Sequence, residues 1–195
     1  MTVVCLVRHG ETAWNAIERI QGRTDIPLNE VGIKQAEACR EYFREHRDWD
    51  VLFSSTLTRA KQTAEIINEG LNLPFYQMED FVEISFGEAE GMTIEERRST
   101  FPNGISPNEE PNDVLLGRVF KGLSNIQREY PKQRVILVAH GGVINAILEH
   151  LSNGELGYGK SKLDNASLSH IFFDEGSWKL LDYNQVSHLS TLHVV

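Results

Sequence analysis

Two tripeptides in this chain carry residue types that could do chemistry: Arg8-His9-Gly10 near its start and His140-Gly141-Gly142 in its last third. Each follows an apolar run of strand length, residues 3–7 and 135–139, and each closes on glycine, which has no Cβ to oppose a sharp turn. If the two strands lie parallel in one sheet, His9 and His140 stand at the same carboxyl edge, where open α/β sheets bind ligands. An imidazole, with a pKa ordinarily about 6.5, is largely unprotonated near neutrality, and its neutral ring nitrogen is a competent nucleophile. Arg8 adds a planar guanidinium that matches the anionic oxygens of a phosphate. Phosphoryl transfer is the chemistry such a group suits.

These residues need a fold that gathers distant strand ends. The 195 residues suit one α/β domain, taken as 1–195. Residues 11–28 read as a loop, interrupted by Asn15, Gln21, Gly22 and Pro27. Asn29 is a good N-cap for a helix running to about Arg47, with Ile33, Ala36, Cys39 and Phe43 as its inward stripe. A strand over 49–55 feeds a helix start with hydroxyl caps, and Arg59 falls in its first turn. A cation there runs against the helix dipole, so Arg59 either pairs with a carboxylate or, with the helix end, makes an anion site. Residues 74–77 read as a short strand. Residues 81–86 alternate and predict an extended segment with Glu83 facing away from Val82 and Ile84. Segment 85–113, with a short helix after Thr93 and then a polar loop rich in helix breakers, reads as a lid that selects substrate. Asn112 or Asp113 caps a helix to Tyr130, with Val119, Leu123 and Ile126 inward, and Gly141-Gly142 opens another whose first amides can donate to an anion. Residues 163–173 and 178–183 read as an antiparallel pair. The expected architecture is a three-layer α/β sandwich: a mainly parallel central sheet, helices on both faces and an antiparallel edge strand.

Four segments resemble, in order, the histidine phosphatase superfamily, the group of phosphoglycerate mutases and many small phosphatases. They are Leu6-Val7-Arg8-His9-Gly10-Glu11-Thr12-x-x-Asn15 with the Gln21-Gly22 turn beyond it, Leu57-Thr58-Arg59-Ala60-Lys61-Gln62-Thr63-Ala64, Glu83-x-x-x-Gly87-x-x-Glu90-Gly91, and the strand leading into His140-Gly141. Thr56 stands where the family usually has Pro. The likeness spans nearly the whole chain and looks closest to small, broad-specificity bacillus-type members. It implies a phosphoglycerate mutase-like fold and a phosphohistidine formed on His9. It implies charge supplied by Arg8, Arg59 and His140, and phosphate contacts from Asn15, Gln21, Gly22 and Gly141. Glu83 becomes the proton donor and then the base, and no metal or other cofactor is required. Glu88 and Glu90 read as surface acids.

Composition narrows the rest. A net charge of −9 argues against nucleic acid and anionic membranes as partners, while a local cationic pocket for a small phosphorylated metabolite is compatible with it. Cys5 and Cys39 read as reduced core thiols of a cytoplasmic protein, and no run approaches the ~20 apolar residues of a membrane span. His46, His150, His170, His188 and His193 lack metal-ligand spacing and read as surface or packing residues. The expected activity is hydrolysis of small phosphate monoesters, falling below pH ~6 as His9 protonates. One competing reading is a phosphoglycerate mutase, whose relatives carry a longer insertion than the 57 positions separating Glu83 from His140. Another is a non-catalytic, protein-binding member, against which stands the full set of candidate catalytic residues.

Overall fold

The computed structural model describes residues 1–46 and 48–193. In chain order the elements are β1 (Thr2–Arg8), α1 (Ala13–Ala16), α2 (Glu30–Glu45), β2 (Val51–Ser54), α3 (Thr58–Asn68), β3 (Phe75–Gln77), α4 (Ile94–Thr100), α5 (Asn112–Glu129), β4 (Arg134–Ala139), α6 (Gly141–Leu151), β5 (Leu168–Asp174) and β6 (Ser177–Gln185). The strands form one sheet in the order β3-β2-β4-β1-β5-β6. The first four are parallel; β5 runs against β1, and β6 pairs antiparallel with β5 to close that edge.

The central strands are apolar at successive positions because both faces of the sheet are covered. Val4, Leu6, Val135 and Leu137 pack against α5 and α6, while Cys5, Val7, Ile136 and Val138 pack against α2 and α3. The alternation sends neighbouring side chains to opposite layers. The register then sets the site: Arg8 pairs with Ala139, so the next residues, His9 and His140, leave the sheet at one level. β2 ends beside them, with Ser54 opposite Val138.

Several local expectations change. Residues 11–28 hold α1, whose cap Thr12 exchanges hydrogen bonds with Asn15. On α2 the inward stripe is Gly32, Ala36, Cys39 and Phe43, and Ile33 is exposed. The reason is a close approach: a Cβ on Gly10 would overlap the Gly32 carbonyl, so backbone rather than side chains fills the contact at the first turn of α2. The expected end of this helix at Arg47 lies outside the described residues, as does the His193 side chain. Pro111, not Asn112 or Asp113, occupies the N-cap of α5. α3 has no cap from its own hydroxyls; Asp25 accepts from the amide and hydroxyl of Thr58 instead, at 2.8 and 2.6 Å. At 81–86 the segment is irregular, with Val82 extended, and the expected two faces do not separate. Single-turn 3₁₀ helices at Glu79–Phe81 and Gly87–Ala89 bracket Glu83, and the adjacent Phe81 and Val82 are both buried. Among the described residues, strand pairing of this segment is confined to an isolated antiparallel bridge between Phe86 and Glu109.

Candidate active site

His9 is buried directly after β1. Its Nδ1 lies 2.7 Å from the Gly10 carbonyl, which can only accept, so the proton sits on Nδ1. In the neutral ring Nε2 then carries a lone pair, and Arg59 Nε donates to it at 3.2 Å. Burial first, and then the Arg59 and Arg8 guanidiniums, hold the imidazole well below its usual pKa of 6.5, outweighing the Gly10 hydrogen bond. Protonation therefore sets in below the ordinary imidazole value, the direction expected from the sequence.

Arg59 is 1% exposed although charged. Its remaining donors bind the carbonyls of Gly22 (2.7 Å) and Thr24 (3.0 Å), so the arginine that broke the helix-dipole rule is held by the turn that follows Gln21. That turn depends on Gly22 at φ +54° and on Glu90, whose carboxylate accepts from the amides of Arg23, Thr24 and Phe86 and from the Thr24 hydroxyl. Glu90 is thus a clasp between two loops rather than a surface acid. Arg8 donates to the Leu163 carbonyl, and its buried Nε has no protein partner. His140 is fully buried, its ring centroid 5.1 Å from that of His9; Nε2 is 2.8 Å from Ser55 Oγ and Nδ1 is unpartnered. Burial, again ahead of the neighbouring cations, holds His140 well below 6.5. Two orphaned buried nitrogens beside a neutral imidazole are what a site awaiting an anion leaves unpaired.

Asn15 Oδ1 accepts from Thr12 and Asn165, and Gln21 Oε1 accepts from Thr12, so each amide group turns its oxygen to the protein and keeps its NH₂ to donate. Glu83, 8% exposed, accepts from the amides of Ile84 (3.0 Å), Gly142 (3.0 Å) and Val143 (3.2 Å). Two of the α6 amides expected to meet an external anion thus hold the protein's own carboxylate. Arg8, His9, Asn15, Gln21, Gly22, Arg59, Glu83 and Gly141 all line one cleft of about 540 Å³. It shares Phe86, Ile94 and Tyr158 with a second cavity of about 530 Å³, lined by Ile84, Phe101 and Leu115 together with Arg97, Arg98 and Glu149. Sequence reasoning missed Ser55, Glu90, Glu110 and Arg118; each acts across a long separation, and no local spacing announces that.

Among the described residues no group of three or more His, Cys, Asp or Glu could hold a metal ion, and no helix is long and apolar enough to cross a membrane. The family model described as histidine phosphatase superfamily (branch 1) matches residues 4–186. A Bacillus subtilis protein named "Uncharacterized phosphatase PhoE" is 48% identical over 97% of this chain and 98% of its own length. An Arabidopsis thaliana "Metal-independent phosphoserine phosphatase" is 34% identical over 98% of this chain and 85% of its own. The solved structure "Bacillus stearothermophilus YhfR" superposes with a TM-score of 0.89 at 28% identity, covering 97% of this chain and all of that one.

Proposed function

The chain belongs to the histidine phosphatase superfamily, branch 1, and is a phosphatase; from that premise we propose that it hydrolyses small phosphate monoesters through a phosphohistidine on Nε2 of His9. The observation that carries this reading is the polarity of the His9 ring, with Nδ1–H tied to Gly10 and the Nε2 lone pair turned to the guanidinium of Arg59.

In this reading a phosphate replaces the ring nitrogen as one partner of Arg59 and meets the free donors of Arg8, His140, Asn15, Gln21 and the Gly22 and Gly141 amides. Each charged donor contributes about 3 kcal/mol to lowering the barrier, by analogy with single donors of preorganised anion sites. Nε2 attacks phosphorus, the bond to the alcohol oxygen breaks, and Glu83 gives that oxygen its proton. Water then loses a proton to the Glu83 carboxylate and attacks the same phosphorus. The P–N bond breaks, its electrons return to Nε2, and inorganic phosphate leaves. Arg8 and Arg59 neutralise the charge while neutral His140 serves as a hydrogen-bond partner, so no metal or cofactor is invoked.

Segment 85–113 serves as the lid of this single domain. The adjoining cavity supplies the alcohol's site, whose apolar wall is bordered by the charged side chains of Arg97, Arg98 and Glu149. Hydrolysis is preferred to mutase activity because both curated relatives above are named phosphatases and the 83–140 interval is short. The buried free thiols of Cys5 and Cys39 support a reducing, cytoplasmic setting. The test is a panel of phosphate esters assayed with chelator present, with radiolabel trapped after acid-free quenching. Acid-labile, base-stable label that disappears in His9→Ala is expected; label retained in that variant, or isomerisation of 3-phosphoglycerate primed with 2,3-bisphosphoglycerate, would overturn the proposal.

A further inference from the structure

Glu83 has no regular element of its own, so something else must hold its backbone. A segment outside helices and strands leaves its carbonyls without ladder partners, and buried carbonyls must find other donors. Three of them find one side chain. Arg118, on α5, donates through Nη1 to the carbonyls of Asp80 (2.9 Å) and Val82 (2.6 Å) and through Nη2 to the carbonyl of Glu83 itself (3.2 Å). Its other edge meets Glu110 as a two-pronged pair, Nε–Oε1 at 2.8 Å and Nη2–Oε2 at 2.9 Å. The Arg118 side chain is 16% exposed and that of Glu110 7%.

Glu110 also ties down the neighbouring chain. Its amide donates to the Ser85 carbonyl at 2.8 Å, and its Oε1 accepts from Arg23 Nη2 at 3.2 Å. Arg23 in turn reaches the Glu83 carbonyl through Nε at 3.3 Å. Arg23 follows Gly22, whose carbonyl holds Arg59. Two guanidiniums and one carboxylate therefore tie the Glu83 backbone to a neighbouring helix, to the phosphate turn and to segment 85–113. None of the three side chains is among the donors the mechanism uses.

We propose that Arg118 and Glu110 are positioning residues that fix the Glu83 carboxyl where it protonates the leaving alcohol, with Glu110 making that placement depend on the lid segment. The inference rests on Glu83 being the acid. The fork is essential to it: a lysine keeps the charge but cannot serve three carbonyls and a carboxylate in one plane.

A positioning role separates from a merely structural one by leaving-group dependence. An alkyl phosphate leaves only with a proton, whereas 2,4-dinitrophenyl phosphate leaves almost without one. Arg118→Lys and Glu110→Gln should lower kcat/KM for an alkyl phosphate at least tenfold and for the dinitrophenyl ester less than threefold. Placing either change in a Glu83→Gln background should add little further loss for the alkyl ester, because the group being positioned is already gone. Equal losses on both esters, no loss on either, or full additivity with Glu83→Gln would overturn the proposal. If Arg118→Lys does not fold, Glu110→Gln carries the same test. A Glu83→Gln variant that itself loses both esters equally would instead remove the premise that Glu83 is the acid.

Discussion

Acidification should destabilise this protein through His9 and His140 in a way two substitutions can isolate. Both rings are held well below their usual pKa, chiefly by burial and then by neighbouring cations, so the folded state resists taking up protons that the unfolded chain accepts near pH 6.5. Where the unfolded state binds more protons, stability falls as pH falls. The loss begins at the unfolded value and continues down to the folded one. Between pH 7 and 5 the unfolded chain gains about 0.7 of a proton per histidine, which costs about 2 kcal/mol for each ring that stays neutral, or about 4 kcal/mol for the pair. Carboxylates held low by their partners, such as Glu110 and Asp164, add to the acid loss at lower pH. The difference between wild type and variant removes that background. Urea unfolding in phosphate-free buffers at both pH values is the assay, with a common m-value as the check on two-state behaviour. His9→Asn and His140→Asn should each lose less than wild type over this range, by up to about 2 kcal/mol. An identical loss in wild type and His9→Asn would mean that His9 protonates in the folded protein as readily as in the unfolded chain. The neutral nucleophile would then be wrong. The same shift places the acid limb of kcat/KM below pH 6.5.

Three further outcomes follow from single contacts. Ser55→Ala removes the one hydrogen bond to the buried His140 ring and should cost about 1–3 kcal/mol in chemical unfolding; unchanged stability would show that the hydroxyl does not hold this ring. Glu90→Ala frees the Arg23–Thr24 amides and loosens the carbonyls that hold Arg59, so inhibition by inorganic phosphate should weaken by about tenfold, the effect of roughly 1.4 kcal/mol; an unaltered inhibition constant would place the clasp outside the phosphate site. Gly142→Ala puts a Cβ 2.5 Å from Glu83 Oε1 and 2.8 Å from Ile84 Cγ2, so the carboxylate must move and turnover of alkyl phosphates should fall, although alanine favours a helix by about 1 kcal/mol. Retained turnover there would show that the observed placement of Glu83 is not required.

What the sequence displayed well were features enforced over short distances. The runs before His9 and His140 are apolar at every position because β1 and β4 are central strands covered on both faces, and that burial is written in consecutive residues. Arg59 stood out because it contradicts a local electrostatic preference, and a conflict between local and global demands tends to mark a site. Glu83 was different. Its residue type and the family likeness singled it out, but alternation at 81–86 pointed only to an extended segment with two faces, whereas the structure has an irregular segment between two 3₁₀ helices whose hydrogen bonds run to α5 and α6.

That contrast explains which half of the site could be read. The phosphate cup stands on parallel strand ends and a helix start, whose register follows from hydrophobic pattern. The half around Glu83, the proposed proton donor, hangs on Arg118, 35 positions after it, and on amides 59 and 60 positions away. A guanidinium that satisfies carbonyls leaves no period in the chain, because its partners are backbone atoms that every residue possesses. Electrostatic partners in irregular segments are therefore invisible to pattern, and in this protein they hold Glu83, the residue proposed to meet the leaving group. In the proposed mechanism the anion end of the reaction is built on the sheet and the leaving-group end on side chains bridging loops, where a few substitutions can re-aim Glu83 without disturbing the strands beneath His9.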